Sequence, residues 1–154
     1  MESFVPGDIV EIETPRGLAY VQVTHDHRAY PQVVRALPDF YPKRPDLDAL
    51  ARGKASFVAM VQLSEAGGTM RKAGSAPIPE ADRPFPTFKM EIRDKIDGVR
   101  KEVAYWWFWD GEGLTYDTNP NTAMRNLPPR EVLSAKRLVE RMCKEPAAAE
   151  HHQF

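Results

Sequence analysis

Five consecutive aromatic residues, Tyr105-Trp106-Trp107-Phe108-Trp109, set the hardest constraint on this chain, and they include all three of its tryptophans. Aromatic side chains suit a pleated, half-buried strand. Asp110-Gly111 follows, and a glycine there accepts the positive φ of a tight hairpin. The stretch Val103 to Tyr116 therefore reads as strand, turn and returning strand. Successive strand residues alternate between faces, so five aromatics cannot share one. Tyr105, Trp107 and Trp109 point one way, Trp106 and Phe108 the other. Either the sheet is covered on both faces, or large aromatics stand exposed as a binding surface. The covered arrangement, with the C-terminal helix over one face, is the one expected here.

Short strands lead up to this element. Pro6-Gly7-Asp8 is a turn, after which Ile9, Val10 and Ile12 open a strand with Glu11 and Glu13 placed outward. Pro15-Arg16-Gly17 turns the chain into Leu18–Thr24, whose alternation puts Tyr20, Gln22 and Thr24 opposite Ala19, Val21 and Val23. Tyr30–Leu37 reads as a third strand with Pro31 near its start. Prolines 38, 42 and 45 make a loop, and Asp46 caps a short helix, Leu47–Arg52, closed by Gly53. The apolar run Ser56–Leu63 is a central strand, with a short helical piece at Ser64–Ala66 before Gly67-Gly68.

Met70–Pro86 is irregular, an ordered crossover packed by Ile78 and Phe85; the alternative is a proline-rich ligand for an SH3-type partner. Phe88–Ile92 is a strand, Asp97-Gly98 a second hairpin turn, and Asn119-Pro120-Asn121 a break. Arg130–Lys144 carries the helical stripe Val132, Ala135, Leu138, Val139 and Met142, and the tail from Pro146 is expected to fray.

Chemistry-bearing motifs are few. His25-Asp26-His27 offers two imidazoles and a carboxylate, which need a third ligand before they can hold a metal; as a polar loop they need nothing. Asp8, Glu11 and Glu13 lack the opposed cleft that paired-carboxylate catalysis requires. Cys143 is the sole cysteine, so no intrachain disulfide forms. Nucleophile elbows, dinucleotide-binding glycine motifs and phosphate loops are missing from the sequence. Lys+Arg 21 against Asp+Glu 22 leaves no global field for nucleic acid or an anionic membrane. Arg71, Lys72, Arg93 and Lys95 still leave stacking of single-stranded bases as an alternative. The first residues lack the pattern of a signal peptide, and no stretch reaches the roughly 20 apolar residues of a membrane span, so a cytoplasmic location is expected.

The order of short motifs resembles the immunity protein 26 family of bacterial polymorphic toxin systems. The resemblance rests on Gly7-Asp8-Ile9-Val10-Glu11-Ile12, Gly17-Leu18-Ala19-Tyr20-Val21-Gln22-Val23, and Gly74-Ser75-Ala76-Pro77-Ile78-Pro79 ahead of Pro86-Thr87-Phe88. It continues in the Trp-x-Trp-Asp-Gly element ending at Gly111 and in Leu127-Pro128-Pro129-Arg130-Glu131-Val132 before the last helix. It runs loosely from Pro6 to Cys143 and implies a cytosolic protein that binds a cognate toxin, with no catalytic residues.

The expected fold is α+β: a mostly antiparallel, strongly bent sheet with SH3-like N-terminal strands and one C-terminal helix. Residues 1–145 are expected to form one domain and 146–154 a tail. The expected function is non-catalytic protein binding by an immunity-like protein that occludes a toxin, without cofactor or metal. Glu11, Glu13, Asp26 and whichever of Trp106, Trp107 and Trp109 is exposed are the expected contacts. The alternatives are a nucleic-acid-binding SH3-like module, and a small hydrolase in which His25 or His27 meets a carboxylate.

Overall fold

A computed structural model describes residues 3–63, 69–96 and 99–144, apart from the side chains of 94–96 and 99–101. The expected features at Ser64–Ala66, Gly67-Gly68, Asp97-Gly98 and the tail with His151 and His152 lie outside the described residues. The chain forms two compact units, Met1–Arg83 with Val132–Phe154, and Pro84–Glu131.

The first unit is built on strands β1 (Asp8–Thr14), β2 (Gly17–His25), β3 (Gln32–Tyr41), β4 (Phe57–Val61), β5 (Met70–Ser75) and β9 (Val132–Leu133). They form one sheet in the order β5-β1-β2-β3-β4-β9, antiparallel except for the β4–β9 pair. Register shifts at Ile9/Val10, Leu18/Tyr20 and Val23/His25 bend it. The α+β class and the strongly bent antiparallel sheet are as the sequence implied.

Alternation decides what each face buries. Val10, Ile12, Ala19, Val21, Val23, Val34, Ala36, Ala59 and Val61 make one core, joined by Leu133 and by Leu138 and Met142 of helix α3 (Ala135–Lys144). Burial of such side chains stabilises by about 1.5–3 kcal/mol each. The sequence placed this helix over the aromatic strand; its buried residues lie instead in the first unit's core. Ile9, Tyr20 and Leu37 face the other way and pack with Ala51 and Ala76, with Leu47 and Leu50 of helix α1 (Leu47–Ala51) against them.

Four local expectations are corrected. Glu11 is not outward: its strand is covered on both faces, so period two puts it beside Tyr20 under cover. β3 runs on through Pro38 to Tyr41, with Asp39 in the left-handed region at φ 75°. β5 occupies the start of the segment read as irregular, because pairing with β1 overrides its weak pattern of Arg71, Lys72 and Gly74. The last helix begins at Ala135, since Val132 and Leu133 pair with Met60 and Val61 before it starts.

The second unit is a three-stranded antiparallel sheet, β6 (Phe88–Ile96), β7 (Val99–Trp109) and β8 (Leu114–Asp117), in that order. A one-turn helix, α2 (Thr122–Arg125), follows, capped by the Asn121 side chain accepting from the Met124 amide at 2.9 Å. Among the described residues no helix is long and apolar enough to cross a membrane.

Candidate functional site

The acidic residues singled out in the sequence are committed to the fold. Glu11 is 3% exposed and accepts the Tyr20 hydroxyl at 2.7 Å on Oε1. Arg44 Nε donates to the same oxygen at 2.9 Å, and Arg71 Nε to Oε2 at 2.7 Å. Hydrogen bonding from Arg44, then from Tyr20 and Arg71, holds the Glu11 carboxyl down at about 2, against the opposing effect of burial. Burial first, then the Glu11 carboxylate, pushes the Tyr20 hydroxyl well above its ordinary value. Glu13 is exposed on the same strand and takes Arg71 Nη2 at 3.2 Å. Lys72 pairs with buried Asp8 at 3.3 Å. Arg71 and Lys72 are two of the four cations, with Arg93 and Lys95, named for stacking single-stranded bases; β5 sets these two against carboxylates.

A second buried network staples α1 to the sheet. Arg35 is fully buried, and its Nε donates to Gln22 Oε1 at 2.8 Å. Its Nη1 donates to the Gly53 carbonyl at 2.8 Å, and its Nη2 to that of Ala51. Gln22 passes the connection on, donating Nε2 to the Ala76 carbonyl at 2.9 Å. Desolvation lowers the Arg35 guanidinium from its ordinary value, and Asp82, 3.7 Å away, opposes this. Nothing in the sequence marks this pair beyond two polar residues set among apolar ones, Gln22 between Val21 and Val23 and Arg35 between Val34 and Ala36.

The His25-Asp26-His27 motif is spread along a strand end. The ring nitrogens of His25 lie 2.8 Å from Thr24 Oγ1 and 2.7 Å from the Arg83 carbonyl. Asp26 is exposed and accepts from Gln32 Nε2 at 2.8 Å, while His27 Nδ1 accepts from the Ala29 amide at 3.0 Å. No three His, Cys, Asp or Glu residues among those described gather where they could hold a metal ion.

The aromatic run divides as alternation requires. Register aligns Phe88, Trp109 and Leu114 in one row, Met90, Trp107 and Tyr116 in the next, and Ile92 with Tyr105 beyond them. All eight therefore share one face of the β6-β7-β8 sheet. Trp106 and Phe108 take the opposite face, at 5% and 2% exposure, with the Arg125 guanidinium 4.6 Å over the Trp106 ring.

Within the second unit, the described residues cover one end of the shared face. Phe85 packs edge-on to Trp109 at 5.6 Å and to Phe88 at 6.3 Å, and Arg130 lies 5.1 Å over Trp109. Trp109 and Phe88 are accordingly buried. Towards β8 the cover stops. Trp107 and Tyr105 are half-buried, each with its ring 5.3 Å from that of Tyr116, while Tyr116 and Leu114 are 54% and 55% exposed. Of the three tryptophans named as possible contacts, Trp107 is the one on this open surface.

The turn that sets the face is rigid. Asp110 Oδ1 accepts from the Gly113 amide at 2.9 Å and from the Glu112 amide at 3.0 Å. Those amides hold the Asp110 carboxyl below the usual range. Gly111 sits at φ 95°, and a Cβ there would lie 2.7 Å from the Phe85 ring. Glycine meets both demands at once.

What this arrangement can do follows from where polarity is spent. The carboxylates and guanidiniums of the first sheet neutralise one another. The second sheet presents Tyr105, Trp107, Tyr116 and Leu114 together on one face, an apolar surface of the kind that a complementary partner can cover. Compared with protein-family models, with curated proteins and with solved structures, the chain gives no significant match.

Proposed function

We propose that this is a non-catalytic binding protein, of the immunity type that protects a producing cell by covering its cognate toxin. The observation that carries the binding reading is the open aromatic face of β6, β7 and β8: Tyr105 and Trp107 each pack against Tyr116, while Tyr116 and Leu114 remain more than half exposed. Aromatic residues with few rotatable bonds are the side chains on which interfaces concentrate their energy. Occlusion needs a preorganised surface, and the locked Asp110–Gly113 turn supplies one. The toxin assignment rests on the sequence resemblance to the immunity protein 26 family. Exposed Glu13 and Asp26 add acidic groups that suit a basic active-site groove.

The test is co-expression with a secreted toxin from a neighbouring gene; the lack of any such neighbour would count against the toxin assignment. Cell survival and a stoichiometric complex are expected, both lost with Trp107→Ala and Tyr116→Ala together. Survival that is unchanged by that double substitution would remove the aromatic face from the reading. Binding to single-stranded nucleic acid that weakens steeply with salt, with no toxin complex, would replace it.

A further inference from the structure

The two sheets treat their edges differently. β5, the outer strand of the six-stranded sheet, carries Arg71 and Lys72, charged residues of the kind that discourage edge-to-edge pairing. On β6, the Lys89 amide donates to the Pro128 carbonyl and the Arg130 amide donates to the Lys89 carbonyl, both at 2.8 Å, so 128–130 covers that side at Lys89, and beyond it the strand carries the charged residues Glu91, Arg93, Asp94 and Lys95. β8 shows no such cover among the described residues, and its one charge, Asp117, stands at its end. It reads Leu114-Thr115-Tyr116-Asp117, with no Lys, Arg or Pro, and among the described residues β7 is the only strand paired with it. Its first three residues are exposed.

We propose that β8 is a self-association edge, on which a second copy of this chain adds its own β8 antiparallel, joining two three-stranded sheets into one of six. Residues opposed across an antiparallel pair share a face. Leu114 and Tyr116 lie on the aromatic face and Thr115 and Asp117 on the other, so a two-fold pairing must centre on a residue rather than between two. Centring on Thr115 sets Leu114 against the partner's Tyr116 and Tyr116 against the partner's Leu114. Leu114 and Tyr116, both more than half exposed, then cover each other twice. Thr115 meets its own copy, a favourable cross-strand pair. Asp117 falls opposite the partner's Gly113, so the only charge on the strand never faces its like.

Centring on Tyr116 instead would put Leu114 against Thr118 and Thr115 against Asp117, which leaves the leucines without an apolar partner. The strand needs little ordering to pair, because Asp110 already fixes the turn that delivers it. Pairing also joins the two rows of Tyr105, Trp107 and Tyr116 into one continuous aromatic face. The inference does not depend on the identity of any toxin.

The experiment is light scattering and sedimentation on the purified full chain over a concentration series, with circular dichroism as the control for folding. A mass that doubles with concentration is expected. Leu114→Lys with Tyr116→Lys sets lysine against lysine at both apolar pairs, and is expected to return the mass to one chain with an unchanged spectrum. In a Cys143→Ser background, Thr115→Cys is expected to give a disulfide-linked dimer on mild oxidation, and Tyr116→Cys not. A single-chain mass at every concentration overturns the proposal, as does a dimer that survives the double lysine substitution. Cross-linking through position 116 but not 115 overturns the register and with it the argument. If the edge accepts only an extended segment of another protein, the free chain stays monomeric and the proposal fails.

Discussion

The Tyr20 hydroxyl donates to Glu11 at 2.7 Å from the directly opposed position on the neighbouring strand. This one contact turns an acidic strand residue into a buried anchor, because it fills a lone pair that neither Arg44 nor Arg71 takes. The carboxyl is held at about 2, against an ordinary 4.5. A carboxyl whose pKa is depressed on folding contributes stability that is fully present above the unfolded value and is lost as pH falls through the folded one. Wild-type unfolding free energy is therefore expected to drop between about pH 4.5 and pH 2. Glu11→Gln is expected to cost about 1–3 kcal/mol at neutral pH and to flatten that acid limb. Urea titrations at several pH values check both; an acid limb that is equally steep in the variant excludes Glu11 as its source.

Arg35→Met tests the second network. It removes the donor to Gln22, Ala51 and Gly53 together and leaves buried acceptors with nothing to bind, an expected loss of about 3–5 kcal/mol. Arg35→Lys is expected to recover only a minor part, because one ammonium lacks the planar fork that reaches three acceptors in fixed directions. Thermal melts of the two variants side by side give the comparison. Equal stability of Lys and Arg at this position would refute the fork argument.

Gly111→Ala is expected to destabilise the second unit by about 1–3 kcal/mol from the positive φ alone. The contact with the Phe85 ring adds to that. Tryptophan fluorescence reports on it directly, since all three tryptophans lie on β7. The companion Gly113→Ala meets nothing within 4 Å and serves as the control with little effect.

Trp107 and Trp109 separate binding from folding. Trp109→Ala empties a buried site beside Phe85 and Phe88 and is expected to cost about 3–5 kcal/mol. Trp107→Ala removes a half-buried ring and is expected to lower stability by about 1–2 kcal/mol while weakening partner binding at least tenfold. Calorimetric melting and titration with the partner distinguish the two. Full partner affinity in Trp107→Ala would place the docking surface elsewhere.

Strands with strong alternation were legible before any coordinates. β1, β2, β4 and β7 fall where Ile9–Ile12, Leu18–Thr24, Phe57–Leu63 and the aromatic run placed them, and Trp106 and Phe108 do oppose Tyr105, Trp107 and Trp109. β5 was not legible, because Arg71, Lys72 and Gly74 carry no strand pattern and owe their conformation to β1. β9 was hidden inside a helical stripe: Val132 keeps helical spacing with Ala135 but is spent pairing with Met60. The buried roles of Glu11 and Arg35 were invisible for a related reason. Their partners lie 33 and 60 residues away for Glu11, and 16 and 18 for Arg35, so nothing local marks them. Alternation in the sequence already set Trp106 on the other face from Trp107 and Trp109; the cover that Phe85 and Arg130 give Trp109 is what leaves Trp107 on the open part.

The short pairing of Val132 and Leu133 with β4 makes the first unit discontinuous in sequence, since Pro84–Glu131 is interposed before the chain returns. A ribosome delivers the chain from its N-terminus, and domains generally fold as they emerge. Here the core of the first unit waits for Leu133, Leu138 and Met142. The whole of the second unit can form during that wait. A chain stopped after Glu131 therefore lacks the residues that complete the first unit's core, although most of that unit's sequence has already been made.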